Sequence, residues 1–420
     1  MPKKIILASV GSRGDMEPFL TIGEMLKKKG HHVICAFPEQ FRSLAEDAGL
    51  EFASLGSKFI EMLFSDLGKT VMGGGGSKIK KFIATFKLAK SSLEVNKELA
   101  NKQREVIDRE NPDLVLHHIK ALYPVVWSTK HPGKAIQINP VPYLNYVKDH
   151  AHLGLGDNYG TLLNKLTYIV ADFGLIETIK ASAKWINIKD ITRKQIKKAR
   201  SANGAIYTIS PSLFQRPSYW PSNIQVLGYH ERNKAINWQP SEELNQFLKR
   251  HNKIILVTFG SMTNPKPAEK TKIILDILQK HNIPAIINTA CGGLEEPKEY
   301  NKDLLHFVNL IPYDYILPKM YAVIHHGGTG TTHAALKNGC ASLIIPHIID
   351  QYIWNKTINK LGAGPKGIEV GKITATNLEP KILDLVNNAS YKEQAETIAK
   401  QMEQENFTEE LYQTIISPST

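Results

Sequence analysis

The chain has 420 residues, of which 42% are hydrophobic and 22% charged, a balance that implies two or three globular domains with a sizeable core. A net charge of +12 raises nucleic acid as a partner, but the basic residues form no RNA- or DNA-binding motif, so none is expected. The apolar run in MPKKIILASVGSRGD is too short for a signal or a membrane span. Cys35, Cys291 and Cys340 make neither a disulfide pattern nor a metal-ligand spacing, so a cytoplasmic protein with reduced thiols and no bound metal is expected.

The first predicted elements are a strand within Lys4 to Ser12 (KIILASVGS), a helix over Phe19 to Lys29 closed by Gly30, and an apolar run at His32 to Ala36. Between strand and helix lies GSRGD. Asp15 at this helix start reads either as a capping or Arg13-paired residue, or as a carboxylate facing a substrate. Gly73 to Gly76 reads as a flexible connector or a loop beside a cleft.

Two basic clusters follow, Lys78 to Lys102 and Lys180 to Arg200. Leu162, Leu163, Leu166, Ile169, Val170 and Phe173 lead into the second at helical spacing, so both clusters read as solvated helix faces. Attraction to anionic lipid, hence peripheral membrane contact, is the alternative. In LHHIKAL, His118 and Lys120 read as surface polar residues ending a strand.

Residues 211 to 252 are rich in Pro, Ser and Trp and read as a connection. The opening pattern then returns as KIILVTFGS at Lys253 to Ser261, with a helix pattern over Ala268 to Lys280 and an apolar run at Ala285 to Ile287. Two such β–α–β starts imply an α/β protein of two Rossmann-like domains, 1–210 and 253–420, each with a parallel sheet and with a cleft between them.

The most informative stretch is Ala322 to Gln351. Ala322 to His325 reads as a buried strand, HHGGTGTT as a glycine-rich turn, and Thr332 to Asn338 as a helix. Gly327, Gly328 and Gly330 allow close backbone approach, and a helix N-terminus offers unpaired N–H groups and a positive dipole end to a diphosphate. Thr329, Thr331 and His326 can add donors, while the neighbouring His325 packs or bonds internally. The next strand, Ser342 to Ile345, delivers Asp350 and Gln351 to the same sheet edge, where an acidic-amide pair can grip sugar hydroxyls. A tight connection with no ligand is the plainer reading of the turn alone.

Together with GSRGDMEP, PDLVLHHIKAL, NPVP, SPSLFQRPSYWP, VTFGSM and IPYDYILP, these segments resemble inverting glycosyltransferases of the two-Rossmann-domain type (GT-B), particularly sterol glucosyltransferases and glycopeptide-antibiotic glycosyltransferases. The resemblance runs nearly end to end. It implies a UDP-glucose or related UDP-sugar donor, a lipophilic small-molecule acceptor, and no cofactor. By that resemblance His326, Gly328, Thr329, Gly330 and Thr331 hold the diphosphate, with Ser261, Ser12 and Arg13 bordering it. Asp350 and Gln351 bind the sugar, and Ile311 lies where backbone groups pair with uracil.

Asp15 would be the general base, at a position where related plant enzymes carry histidine. By resemblance alone, His118 and Lys120 face the cleft and orient the acceptor or support Asp15. A partly dry setting is expected to raise its pKa from about 3.9. No Asp-x-Asp sequence occurs, so a metal-independent reaction is expected. No segment here resembles the lipid-binding modules that precede the catalytic region in fungal members of that group, a departure that weakens the implication of a sterol acceptor. A nucleotide-sugar epimerase and a non-catalytic UDP-sugar sensor are the competing classes.

Overall fold

The computed structural model describes residues 1–65, 78–232, 234, 238–264 and 266–417, giving the helical backbone alone for 78–91. The expected loop Gly73 to Gly76 and part of the Lys78 to Lys102 cluster lie outside the described residues. The chain forms two compact units, one of Met1–Ser65, Phe86–Arg232 and Asn406–Thr420, the other built on Asn233–Glu405.

In the first unit, short aliphatic runs give β1 (Lys4–Ala8), β2 (His32–Phe37), β3 (Glu51–Ser54), β4 (Leu114–His117), β5 (Ala135–Asn139), β6 (Ala205–Tyr207) and β7 (Ile224–Val226). They form one sheet in the order β3-β2-β1-β4-β5-β6-β7, with every pair parallel. Helices cover both faces, which is why β1 and β4 are apolar along almost their whole length rather than alternating.

The second unit repeats the plan with β8 (Ile255–Thr258), β9 (Ala285–Asn288), β10 (Leu305–Val308), β11 (Ala322–His325) and β12 (Ala341–Ile344). These pair in parallel in the order β10-β9-β8-β11-β12. In each sheet the chain leaves its first strand toward one edge and later returns to that strand's other side. The reversal falls between β1 and β4 in one unit and between β8 and β11 in the other. A crevice at the carboxyl ends of such a strand pair is where open α/β sheets bind ligands.

The helix after β1 spans Arg13–Lys28. It begins six residues before the expected start at Phe19, so Arg13, Gly14 and Asp15 form its first turn. Likewise the helix after β11 spans Thr329–Lys337, with Gly328 as its extended N-cap, and begins three residues before the expected Thr332. Both early starts place turn residues on helix N-termini.

The last helix, Thr408–Ile416, packs in the first unit, where Leu411 and Ile415 join Ile5, Leu7 and Leu26 in one apolar cluster. His31 Nε2 and Tyr412 Oη lie 3.1 Å apart, and Lys3 Nζ donates to the Ile416 carbonyl at 2.6 Å.

The helix Thr161–Trp185 departs from expectation in a different way. Its core side is Asn164, Tyr168, Ile176, Ile179, Ser182 and Ala183, whereas the six apolar residues from Leu162 to Phe173 are exposed. The expected solvated face is here apolar, because the helix carries hydrophobic residues on two opposite sides. Among the described residues no helix is long and apolar enough to cross a membrane.

Candidate functional site

The crevice of the second unit is made by the turns after β8 and β11. His325 ends β11 fully buried, its Nδ1 accepting from the Gly327 N–H at 3.1 Å and its Nε2 without a hydrogen-bond partner among the described residues. Gly327 has φ +91°, and a Cβ there would stand 2.6 Å from the Ile344 side chain, so both conformation and space call for glycine.

The next ring, His326, is 6% exposed and lies between two more glycines. A Cβ on Gly260, in the turn after β8, would meet its Cε1 at 2.8 Å, and one on Gly328 would meet its Nε2 at 2.4 Å. The two turns therefore close on one imidazole. Burial pushes its pKa well below the usual range, and His325 and His347 add to that depression, so the ring is neutral at physiological pH. His326 Nδ1 is closed off from solvent, and the Thr258 backbone opposes the depression by hydrogen bonding to the ring.

Beside this ring begins the helix Thr329–Lys337. The first N–H groups of a helix lack intrahelical partners and sit at the positive dipole end. Gly330 is exposed, Thr329 half-buried and Thr331 buried. Trp354 Nε1 donates to Thr329 Oγ1 at 2.9 Å, which orients that hydroxyl and leaves its own proton to be donated elsewhere.

Asp350 and Gln351 lie in the first turn of the helix Ile349–Lys360 and divide their work. Gln351 is 2% exposed, and its Oε1 accepts from the His347 and Ile348 N–H groups at 2.7 and 3.2 Å, fixing the turn. Asp350 is half-buried.

Ser261 is half-buried next to Gly260 at this edge. Ile311 stands apart, buried after β10 against Ile316 and Leu317. With strands about 4.8 Å apart, β10 lies two strands, or about 10 Å, from β8. That is a span suited to a base and a diphosphate rather than to one anion.

The crevice of the first unit is built on Asp15. Its Oδ2 accepts from the Ser12 N–H at 2.6 Å and the Ser12 hydroxyl at 3.1 Å. Its Oδ1 lies 3.4 Å from His118 Nε2 and 3.5 Å from Lys120 Nζ. These last two residues follow β4, so the carboxylate spans the β1/β4 reversal. Arg13 pairs not with Asp15 but with Glu17 one turn on, at 3.1 Å. Gly11 is required because a Cβ there would stand 2.1 Å from Asp15 Oδ2.

The Asp15 side chain is 19% exposed. Burial alone works to raise its pKa, but Lys120, His118 and the Ser12 hydrogen bonds outweigh burial and hold it below the usual carboxylate value. The expected upward shift is therefore reversed: the Lys120 cation, placed by the end of β4, supplies the largest opposition to burial, while Arg13 beside Asp15 in sequence is turned to Glu17. His118 is buried, which pushes its pKa down to about 4 despite the neighbouring carboxylate. It is a neutral ring, with Nδ1 unpaired among the described residues.

The sequence singled out neither Trp354, which sets the Thr329 hydroxyl, nor Gly260, which admits the His326 ring. Gly260 had a signal in its place at the end of the repeated KIILxxxGS pattern. Trp354 had none beyond its helical spacing from Asp350. Among the described residues, no group of three or more His, Cys, Asp or Glu side chains is arranged to hold a metal ion.

Residues 5–108 match the Glycosyltransferase family 28 N-terminal domain, and residues 298–417 match the Erythromycin biosynthesis protein CIII-like C-terminal domain. Sterol 3-beta-glucosyltransferase UGT80A2 of Arabidopsis thaliana is 28% identical, over 96% of this chain and 64% of that protein. A sterol 3-beta-glucosyltransferase of Saccharomyces cerevisiae (strain YJM789) is 23% identical, over 96% of this chain and 34% of the other. The chain thus spans about two thirds of the plant relative and one third of the yeast one. Among solved structures, the glycotransferase of kitacinnamycin superposes with TM-score 0.71 at 15% identity, covering 99% of this chain and 98% of the other. The glycosyltransferase VinC, solved in complex with DTDP, superposes with TM-score 0.65 at 14% identity, covering 98% of each.

Proposed function

We propose that this chain, which matches glycosyltransferase-type domains at both ends and has the GT-B fold, moves glucose from UDP-glucose to a hydroxyl of a lipophilic small molecule, with inversion and without metal. The observation that carries this reading is Asp15, an ionised carboxylate at the switch point of the first sheet.

In the proposed reaction the acceptor hydroxyl gives its proton to Asp15 as its oxygen attacks the anomeric carbon. The bond from that carbon to the diphosphate breaks, and UDP leaves with the electron pair. One displacement inverts the centre, so an α-linked donor gives a β-glycoside. A carboxylate held ionised is a weak base but is never blocked by its own proton near neutral pH, and alignment at the attacking hydroxyl compensates for low basicity.

Negative charge develops on the departing diphosphate. The N–H groups opening the Thr329–Lys337 helix, the Thr329 and Thr331 hydroxyls and the neighbouring His326 ring suit that charge. Ser261, Ser12 and Arg13 border the phosphates in this reading, and the Ile311 backbone receives uracil. Asp350 contacts the sugar, with Gln351 beside it fixing the turn. His118 and Lys120 act on the acceptor side through Asp15.

The acceptor proposed first is a sterol, after the relatives' names; flavonoids, other polyphenols and macrocycles are further candidates, and a cytoplasmic setting is part of the same proposal. A panel of these acceptors with UDP-glucose and other donors, read by mass spectrometry with and without chelator, tests the proposal. A β-glucoside of at least one lipophilic acceptor, formed equally in chelator, is expected. Loss of product in chelator would overturn the metal-free step, and absence of UDP binding by calorimetry would overturn the whole reading.

A further inference from the structure

The surface of the first unit carries an apolar face with no role in the reaction above. On the helix Thr161–Trp185, Leu162, Leu163, Leu166, Ile169, Val170 and Phe173 are between 52% and 85% exposed. Their spacing of one, three and four residues puts them on one side, over about 17 Å of helix at 1.5 Å per residue. Single exposed leucines are ordinary, whereas six contiguous ones mark a contact surface.

What surrounds this face is positively charged. Lys165 is exposed on the same helix, and the packed neighbouring helix Arg193–Asn203 exposes Arg193, Lys194, Lys197 and Lys198. The two helices are joined at their edge, since the Arg193 guanidinium lies 5.2 Å over the Phe173 ring while also pairing with Glu177. Asp172 and Glu177, the acidic residues nearest this edge, are each engaged by an arginine, Arg200 and Arg193. The face therefore combines apolar side chains able to enter an acyl layer with cations able to meet headgroup phosphates. Neither helix crosses a membrane, so the arrangement suits lying in the interface plane.

We propose that the Leu162–Phe173 face and its fringe of Lys165, Arg193, Lys194, Lys197 and Lys198 dock the protein on an anionic lipid bilayer surface. The apolar row supplies insertion and the cations supply preference for negative headgroups. This surface is independent of Asp15 and His326, and it would deliver a catalytic unit to lipophilic acceptors dissolved in the bilayer. That consequence rests on the proposed reaction, whereas the docking does not.

The test is co-sedimentation of the full chain with phosphatidylcholine vesicles and with vesicles containing phosphatidylglycerol. At least tenfold more protein is expected on the anionic vesicles, falling as salt rises. Leu166→Ser with Ile169→Ser and Phe173→Ser should cut binding at least tenfold on both vesicle types. Lys194→Glu with Lys197→Glu should remove the anionic preference alone. All these side chains are exposed, and thermal unfolding superimposable on the unmodified protein confirms that the variants fold. UDP binding by calorimetry should be unchanged in both, which separates failure of docking from failure of the proposed reaction. Equal vesicle binding by all three proteins, or no binding by the unmodified one, overturns the proposal. It is equally overturned if sedimentation shows a dimer that the apolar variant dissociates, because the face then belongs to a second copy.

Discussion

The two sheet reversals share one topology and have opposite electrostatics. Between β1 and β4 a carboxylate is held ionised by a lysine and by the Ser12 N–H and hydroxyl, with a neutral histidine beside it. Between β8 and β11 the side chain enclosed is a neutral imidazole, set between two glycines at the mouth of a helix N-terminus. A parallel sheet with a reversed strand order supplies a place for a ligand and nothing of its chemistry. Short turns of five to eight residues decide that chemistry: GSRGD presents an ionised carboxylate, and HHGGTGTT presents a buried neutral imidazole beside a helix N-terminus.

The sharpest way to break this contrast is Asp15→Asn. If the first crevice supplies the base, turnover falls about 10²- to 10⁴-fold while UDP affinity by calorimetry is unchanged. Unchanged turnover would remove Asp15 from the chemistry.

A pair of glycine variants should separate the halves. Gly11→Ala drives a methyl into the Asp15 carboxylate, and displacement by an ångström is expected to lower kcat roughly 10²-fold with UDP binding kept. Gly328→Ala displaces the His326 ring instead, and UDP affinity should weaken by roughly tenfold or more, the worth of one hydrogen bond to a charged group. If both variants changed the same parameter, the division of labour between the two crevices would be lost.

Acid should also distinguish the units. His325, His333 and His347 have pKa values pushed by burial down to about 3, about 4 and about 4, and His326 lies well below its usual value. Among the described residues of the first unit, His117 and His118 alone reach about 4. A histidine whose folded pKa is depressed contributes no penalty above its unfolded pKa, near 6.5, and costs stability as pH falls from there toward the folded value. At pH 5 the cost is about 2 kcal/mol per such histidine. Hydrogen exchange at pH 7 and pH 5 should therefore show protection falling more steeply in Asn233–Glu405 than in the first unit.

The smallest expected effect is a shift of profile. Lys120 is the largest of the influences lowering the Asp15 pKa. In Lys120→Met that pKa rises, so the acid limb of kcat/KM moves to higher pH while the rate on the plateau changes only a few-fold. A limb that stays in place would mean that Lys120 does not govern Asp15.

Much of the second crevice was legible in advance because its parts are contiguous. His326 to Thr331 occupy one turn, and Asp350 and Gln351 end the next strand's connection, so a strand–turn–helix reading alone puts them on one edge. The first crevice was half legible. Ser12 and Asp15 stand three residues apart at a helix start, which local pattern can see. Their partners His118 and Lys120 are a hundred residues away, and only the pairing of β1 with β4 brings them within 3.5 Å. The direction of the Asp15 shift was misread for that reason, since burial was weighed at the helix start while the distance of Lys120 from the carboxylate is set by the sheet. The exposed apolar row after Gly160 was likewise visible as a periodic pattern, but periodicity does not say which of two apolar sides faces the core.

By itself the sequence determined the two β–α–β starts, the glycine-rich turns and the residue types at their mouths, because strand, turn and cap signals act over a few neighbouring residues. Tertiary structure alone decided the strand orders that create the two crevices, the charges surrounding Asp15, the packing of the last helix against the first unit, and the side of Thr161–Trp185 left to solvent. These depend on which distant segments share one core. That choice is made by the burial of whole faces together, a sum over the chain that no single stretch of it contains.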